Sequence, residues 1–338
     1  MASTESVDKG LLYKLIQSST SIAVVSDFLK RKQLTHSASS WDDMFALRLD
    51  PALADSKISI AELVDLLRTV EEVGSQHVFL FKCKPETATE LMDRRRITEA
   101  LASLGLSQLL TSPNLYDFPE KPSIADVRWV TTTQDTELVI KEIQTKEHYK
   151  LASIKHTSDG MLKEYTKLQE RGVNIGRLHR NGNLEIRIAA RTGSMSYRDD
   201  LLFFRKRIEN LIPMIGFAQT PLRNAKDALW NSRALYDGRI RYSEIAARND
   251  DDYVLKATGG SLDSNVSSNQ ASVNSLQSFI QTEGRCESFN LWFSKAHTPS
   301  KRDVHFVLSG EVNEFAINSN CTLEDYEYVL SELRALNA

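Results

Sequence analysis

Cysteine is scarce in this 338-residue chain: Cys83, Cys286 and Cys321 are far apart and form no C-x-x-C pair. An odd, scattered set excludes a disulfide-framed secreted domain and fits a reduced, intracellular compartment. No apolar run approaches the roughly 20 residues of a membrane-spanning helix, and the start, MASTESVDKG, lacks the basic and apolar regions of a signal peptide. No membrane partner is therefore expected. Glycine forms no phosphate-binding pattern: Gly172 and Gly176 give only G-x-x-x-G, and Gly182 stands alone, which argues against a Rossmann enzyme or a P-loop NTPase. The seven histidines are scattered, with no two at the i, i+4 spacing of a helical metal site. His77 and Cys83 share one face of a predicted strand, but six residues put them about 20 Å apart, so both are expected as core filler. No G-x-S-x-G elbow or reactive-cysteine signature is present. No cofactor is expected, and the chain leans towards a non-enzymatic role. A charge of one sign is missing too: 42 Lys+Arg stand against 45 Asp+Glu, a net of −3. That excludes a wholly basic nucleic-acid binder and leaves a local patch open.

What is present is a succession of well-punctuated elements. Asp8 and Ser21 are placed to cap two helices with apolar faces Leu11/Leu12/Leu15/Ile16 and Ile22/Val25/Phe28/Leu29. Ser40 and Asp43 open a third, which Pro51 should limit. Ser59 and Glu62 form an S-x-x-E capping box before a helix that ends near Gly74. His77–Cys83 is apolar on both faces and predicts a buried central strand. A helix over 86–104 is interrupted by the charges at Asp93–Arg96, and three prolines mark 112–123 as a joining loop. Strands are expected at Asp126–Thr132, Glu137–Ile143 and Tyr149–Ile154, and a short helix at Met161–Gln169. A hairpin should turn at Asn181-Gly182 through a bulged three-residue loop, pairing Ile186 with Leu178 and Glu185 with His179 so that apolar side chains share a face. Asp199–Ile212 and Arg223–Leu235 read as helices. The serine-rich stretch after Gly259 reads as a linker. A short helix, strands at 288–294, 304–309 and 313–317, and a helix from Thr322 complete the chain.

Two charge patterns bear on chemistry. Asp126, Glu137, Lys141 and Glu142 lie on or beside adjacent predicted strands, as carboxylates and a lysine would in a divalent-metal nuclease. Glu137 and Lys141 point one way and Glu142 the other, so one site cannot use all of them without a bulge. The basic run is denser. Between Arg171 and Arg198 there are six arginines and one acid, Glu185, and Arg205, Lys206 and Arg207 follow. A hairpin and helix sharing that surface would track a phosphate backbone through Arg177, Arg180, Arg187, Arg191, Arg198, Arg205 and Arg207. A solvated face with local salt bridges is the competing account. Residues 1–248 carry a net +4 and residues 249–338 a net −7, which suits either an anionic partner for the front part or an acidic domain docked on a basic one.

Several segments together resemble the centromere protein N family of the inner kinetochore: Ile22–Leu34 (IAVVSDFLKRKQL), Ser59–Lys82 (SIAELVDLLRTVEEVGSQHVFLFK), Asp126–Thr133 (DVRWVTTT) and Glu137–Ser153. The likeness lies in the order and spacing of a helical bundle, a capped helix, an aromatic strand and a Trp-bearing strand, over about the first 155 residues. It implies a pyrin-like helical module joined to a mixed sheet domain, a basic groove for nucleosomal DNA, a partner subunit on the C-terminal part and a nuclear, chromosomal setting. A prokaryotic chain sharing only the fold would be cytoplasmic. No DNA-contacting residue of that family can be placed on this sequence.

The sequence therefore predicts an α+β protein: a helical module with one buried strand (1–111), a mixed or antiparallel sheet domain with a basic hairpin and helix (124–256), a linker (257–275) and a small acidic α+β domain (276–338). The leading functional expectation is a non-enzymatic nucleic-acid or nucleoprotein binder using a basic surface. An intracellular protein-interaction adaptor, docking through the acidic C-terminal domain, and a divalent-metal nuclease are the alternatives.

Overall fold

Side-chain caps start most of the N-terminal helices where the sequence places them. The computed structural model describes residues 7–131, 135–157, 160–190, 197–261, 263–282, 284–308, 311–318 and 321–338. Asp8 accepts from the Gly10 and Leu11 amides at the head of α1 (Lys9–Ser19). Ser21 precedes α2 (Ile22–Arg31) without a side-chain bond, and Ser40 caps α3 (Trp41–Met44). Pro51 does not end that helical stretch. A π-helical turn over Phe45–Leu49 carries the chain into α4 (Asp50–Ala54), where Pro51 sits in the first turn and no helical amide is needed. The Ser59–Glu62 capping box opens α5 (Ile60–Glu71). These helices enclose a core of their own around Leu12, Leu15, Ile16, Leu63 and Leu67.

β1 (Gln76–Lys82) is central, as its two apolar faces require. Val78 and Leu80 enter one core and Phe79 and Phe81 another on the opposite side of the sheet. Asp93 splits the following helix by capping α7 (Arg94–Ser103) after α6 (Pro85–Leu91). Next come β2 (Ser123–Thr131), β3 (Thr136–Thr157), β4 (Gly160–His179) and β5 (Asn183–Ala189). α8 (Tyr197–Ile208) covers the Phe79/Phe81 side. The chain continues through β6 (Ala218–Gln219), α9 (Arg223–Asn231), β7 (Ile240–Asn249), β8 (Val254–Thr258), α10 (Gln270–Thr282), β9 (Gly284–Phe293), β10 (Val304–Leu308), β11 (Glu314–Ile317) and α11 (Leu323–Leu336). The fold is α+β, built on one sheet in the order β2-β3-β4-β5-β1-β11-β10-β9-β7-β8, with β6 beside the end of β1. Every pairing among the described residues is antiparallel. β7 and β8, before the expected 257–275 linker, join the same sheet as β9 after it, so the sheet runs across that boundary. The stretch itself holds the end of β8, a 3-10 turn and the head of α10.

Two further expectations need correction. Met161–Gln169 is strand, not helix: it pairs in register with the far half of β3, which is itself one long strand and not two. The hairpin turn has three residues, Arg180–Gly182, but pairs Leu178 with Leu184 and Arg177 with Glu185. This is shifted two residues from the expected register, which keeps the same face, so the apolar side chains stay together. Gly182 fixes the step: at φ +90° its absent Cβ would lie 2.1 Å from the Cys83 carbonyl oxygen, where any side chain collides.

Candidate interaction surface

Of the predicted arginines, Arg177 and Arg187 are turned into the molecule. β4 and β5 hold them on the side that faces α11, and acids from distant segments meet them there. Glu185 is the centre. Its Oε1 accepts from His179 Nε2 (2.8 Å) and Arg334 (3.0 Å); its Oε2 accepts from Arg187 (2.7 Å) and the Tyr326 hydroxyl (2.8 Å). Arg187 is 1% exposed, donates also to the Glu72 carbonyl (2.9 Å) and lies over the Tyr326 ring at 3.8 Å. Arg177 donates to Glu137 (2.5 Å) and pairs with Glu327 of α11. His179 bridges Glu137 and Glu185. Burial opposes charge on its ring, and the two carboxylates overcome that, raising its pKa to about 9. Burial likewise opposes charge on Glu185, yet Arg187 and His179 hold its carboxyl well below the usual range.

Two more clusters tie α5 to the sheet. Glu71 takes Lys141 (2.8 Å) and Arg171 (2.6 Å). Asp126 takes Arg68 (2.8 Å) and Arg128 (2.7 Å), and Arg128 also holds Glu72 (2.6 Å). On the opposite face Arg207 clamps Glu142 through both carboxylate oxygens, and Asn174 donates to the same group (2.9 Å). These pairs use up Asp126, Glu137, Lys141 and Glu142. Among the described residues no group of three His, Cys, Asp or Glu side chains is arranged to hold a metal ion.

The outward basic surface is thus not formed as expected. Arg177, Arg187 and Arg207 neutralise internal carboxylates, and Arg191 lies outside the described residues. Arg180 is exposed in its turn. Arg198 and Arg205 line a cleft of about 620 Å³ between α8 and β1, with His77, Gln219, Glu311 and Glu314. There His77 stacks on Tyr197 at 3.6 Å and meets Glu314 at 2.6 Å, so His77 is a wall of this cleft and not core filler. Arg180 has basic neighbours: Lys82 pairs across from Asn183, and the Cys83 amide donates to the Gly182 carbonyl (2.9 Å). Exposed Lys82, Lys84 and Arg180 therefore gather at one end of the sheet.

Sequence reasoning missed an exposed extension of the sheet. Beyond the last partner of β2, at Ile143, and the first of β5, at Ile175, β3 and β4 run on as a two-stranded arm to Thr157 and Gly160. At strand spacing the arm is roughly 45 Å long. Its root is held where Thr145 donates to the Pro119 carbonyl (2.7 Å) and Arg171 to that of Tyr116 (2.8 Å). The register puts Leu151 opposite Tyr165, Tyr149 opposite Lys167, Ile154 opposite Lys163 and His156 opposite Met161. Opposed residues share a face, so Tyr149, Leu151, Ile154, Met161 and Tyr165 form one apolar stripe. Tyr149 is 67% and Tyr165 55% exposed. At 150–250 Å² for a whole aromatic side chain, the stripe exposes on the order of 400–500 Å², at the size where a patch on a soluble protein is usually functional. The arm carries lysines at 146, 150, 155, 163 and 167, of which Lys163 and Lys167 share the face of the stripe; of its three described glutamates, Glu164 pairs with Lys155 (2.6 Å), Glu147 with Lys167 (2.7 Å), and Glu170 lies 3.7 Å from His148.

No protein-family model matches this chain, and no curated protein does either. No helix among the described residues is long and apolar enough to cross a membrane.

Proposed function

We propose that this chain is a non-enzymatic protein-interaction adaptor whose contact element is the β3–β4 arm. The observation that carries this reading is the in-register apolar stripe on a ribbon that no other part of the described chain covers. A ribbon with no core beneath it gains little for its own stability from exposed Tyr, Leu, Ile and Met beyond cross-strand pairs such as Leu151 with Tyr165, whereas a partner surface would bury them. The three unpaired cysteines support an intracellular setting. A photo-crosslinking residue at Tyr149 or Tyr165 tests the proposal in cells. Protein adducts are expected at both positions and not at exposed Leu235, far along the sequence; adducts equal to those at Leu235 would refute it.

A second reading, nucleic-acid binding, keeps one predicted contact and changes the others. Lys82, Lys84 and Arg180 at one end of the sheet favour it, and the resemblance to the centromere protein N family, with its pyrin-like module, supports it. Such contacts would grip phosphates without reading bases. Fluorescence anisotropy with a 20-base-pair duplex is the test. Affinity should fall with salt and fall further in K82E/K84E/R180E; salt-independent binding, or none at low salt, would exclude this reading.

A further inference from the structure

The arm has two long edges, and they are not equivalent. The outer edge of β3 is broken by a bulge between Leu151 and Ser153. Bulges of this kind spoil an edge for further pairing. The outer edge of β4 is regular from Gly160 to Val173, and no strand of the described chain pairs with it. We propose that this β4 edge receives an extended, acidic segment of a partner protein as an added strand. The inference rests on the adaptor reading above and names its partner.

Charge selects the occupant. The described part of the arm carries five lysines against three glutamates; Lys155 and Lys167 hold Glu164 and Glu147, and Glu170 lies beside His148, so Lys150 and Lys163 meet no carboxylate among the described residues. Lys163 and Tyr165 stand on the same face of the free edge. A segment that alternates apolar and acidic residues therefore sets an apolar side chain beside Tyr165 and a carboxylate beside Lys163, while its backbone supplies the missing ladder bonds.

A second copy of this chain does not fit that edge. In a symmetric antiparallel pairing, opposed residues share a face, so odd numbers of β4 meet odd and even meet even. With Tyr165 against Tyr165, Lys163 faces Lys167 twice. Shifted one way, Glu164 faces Glu164; shifted the other, Tyr165 faces Lys167 and Leu162 faces Glu170. Each of these registers opposes like charges or leaves Lys163 and Lys167 without a carboxylate opposite them, whereas an acidic segment supplies one.

The probe is a fluorescein-labelled decapeptide of alternating valine and glutamate, with valine–lysine and serine–glutamate decapeptides as controls, added to the full chain. The valine–glutamate peptide is expected to bind at least tenfold more tightly than either control. K163E should weaken it at least tenfold, and amide-exchange protection should appear along 160–173 but not along 144–157. No binding at millimolar peptide, equal binding of the valine–lysine control, or protection on the β3 edge would overturn the proposal. So would a dimer in sedimentation equilibrium that K163E abolishes, or stronger protection of this edge by duplex DNA. Crosslinks to protein at Tyr149 and Tyr165 without peptide protection at 160–173 would refute strand addition and leave the adaptor reading standing.

Discussion

Replacing Glu185 by glutamine is the sharpest probe of how this chain holds itself together. The carboxylate accepts four hydrogen bonds, two on each oxygen, from His179 and Arg334 on one side and Arg187 and Tyr326 on the other. An amide has one oxygen and one NH₂ group. Whichever way it turns, the NH₂ faces two donors, and the fully buried Arg187 loses its counter-charge. Removing one member of a buried ion pair costs about 3–5 kcal/mol, and that loss is expected in urea denaturation at pH 7. R187M placed on top of E185Q removes the stranded cation and should restore at least about 1 kcal/mol, a coupling that a double-mutant cycle measures.

The same variant should alter the pH profile, with a definite sign. His179 has a folded-state pKa raised to about 9, against roughly 6.5 unfolded. Its contribution is complete below about pH 6.5 and is lost as pH rises through 9, for a total of roughly 3 kcal/mol. Glu185 and Glu137 are shifted the other way, so their contribution is present above the ordinary carboxylate range and lost as pH falls. E185Q removes one of the two carboxylates that keep His179 charged, so the alkaline loss should shrink. A cost under 1 kcal/mol, or an unchanged slope between pH 7 and 10, would refute the view that Glu185 fastens α11 to the sheet.

Other perturbations separate the structural charges from the exposed ones. E71Q strands Lys141 and Arg171 beneath α5, and a loss of about 3 kcal/mol with faster amide exchange in α5 is expected. G182A places a Cβ against the Cys83 carbonyl at positive φ and should cost at least about 1–3 kcal/mol by thermal unfolding. Excising the outer arm, with β3 and β4 rejoined through an Asn-Gly turn before it, should leave stability within about 0.5 kcal/mol, because the arm shares no core with the body; a larger loss would mean the arm serves the fold.

Much of the fold was legible because it is written locally. Asp8, Ser40, Ser59, Asp93 and Thr322 cap helices with hydrogen bonds to amides two to three residues ahead, and β1 shows its central place by being apolar on both faces. What failed was settled at a distance. Met161, Leu162, Tyr165 and Leu168 have helical spacing, but their conformation is dictated by pairing with 146–156, and neither face of the ribbon is buried, so no alternation reports it. The six-to-one excess of arginine over acid between 171 and 198 had the same blind spot. Its counter-charges sit at Glu71, Glu137 and Glu327, up to 150 residues away. One signal was available: Glu71 falls at helical spacing from Val64 and Leu67, on the buried side of an amphipathic helix, and an acid there requires a cation from elsewhere.

Residue type sorts these cations better than their density does. Arg68, Arg128, Arg171, Arg177, Arg187 and Arg207 all meet carboxylates at buried or half-buried positions, where a planar, weakly hydrated, multiply donating guanidinium suits the geometry. The arm, from Gln144 to Glu170, holds five lysines and no arginine. A lysine on a free ribbon keeps its hydration and its rotamer freedom and still covers apolar surface with its stem. Lys141, paired inside, is an exception with an evident reason, since it reaches the same Glu71 that Arg171 holds. An arginine-rich strand in an acid-balanced chain is therefore evidence of internal fastening, and a ribbon whose cations are all lysines, bearing exposed aromatics, is what the proposed adaptor role requires. On that criterion the arginine-rich β4–β5 segment serves the scaffold, and the 161–169 strand carries the exposed apolar stripe on which the proposed interaction rests.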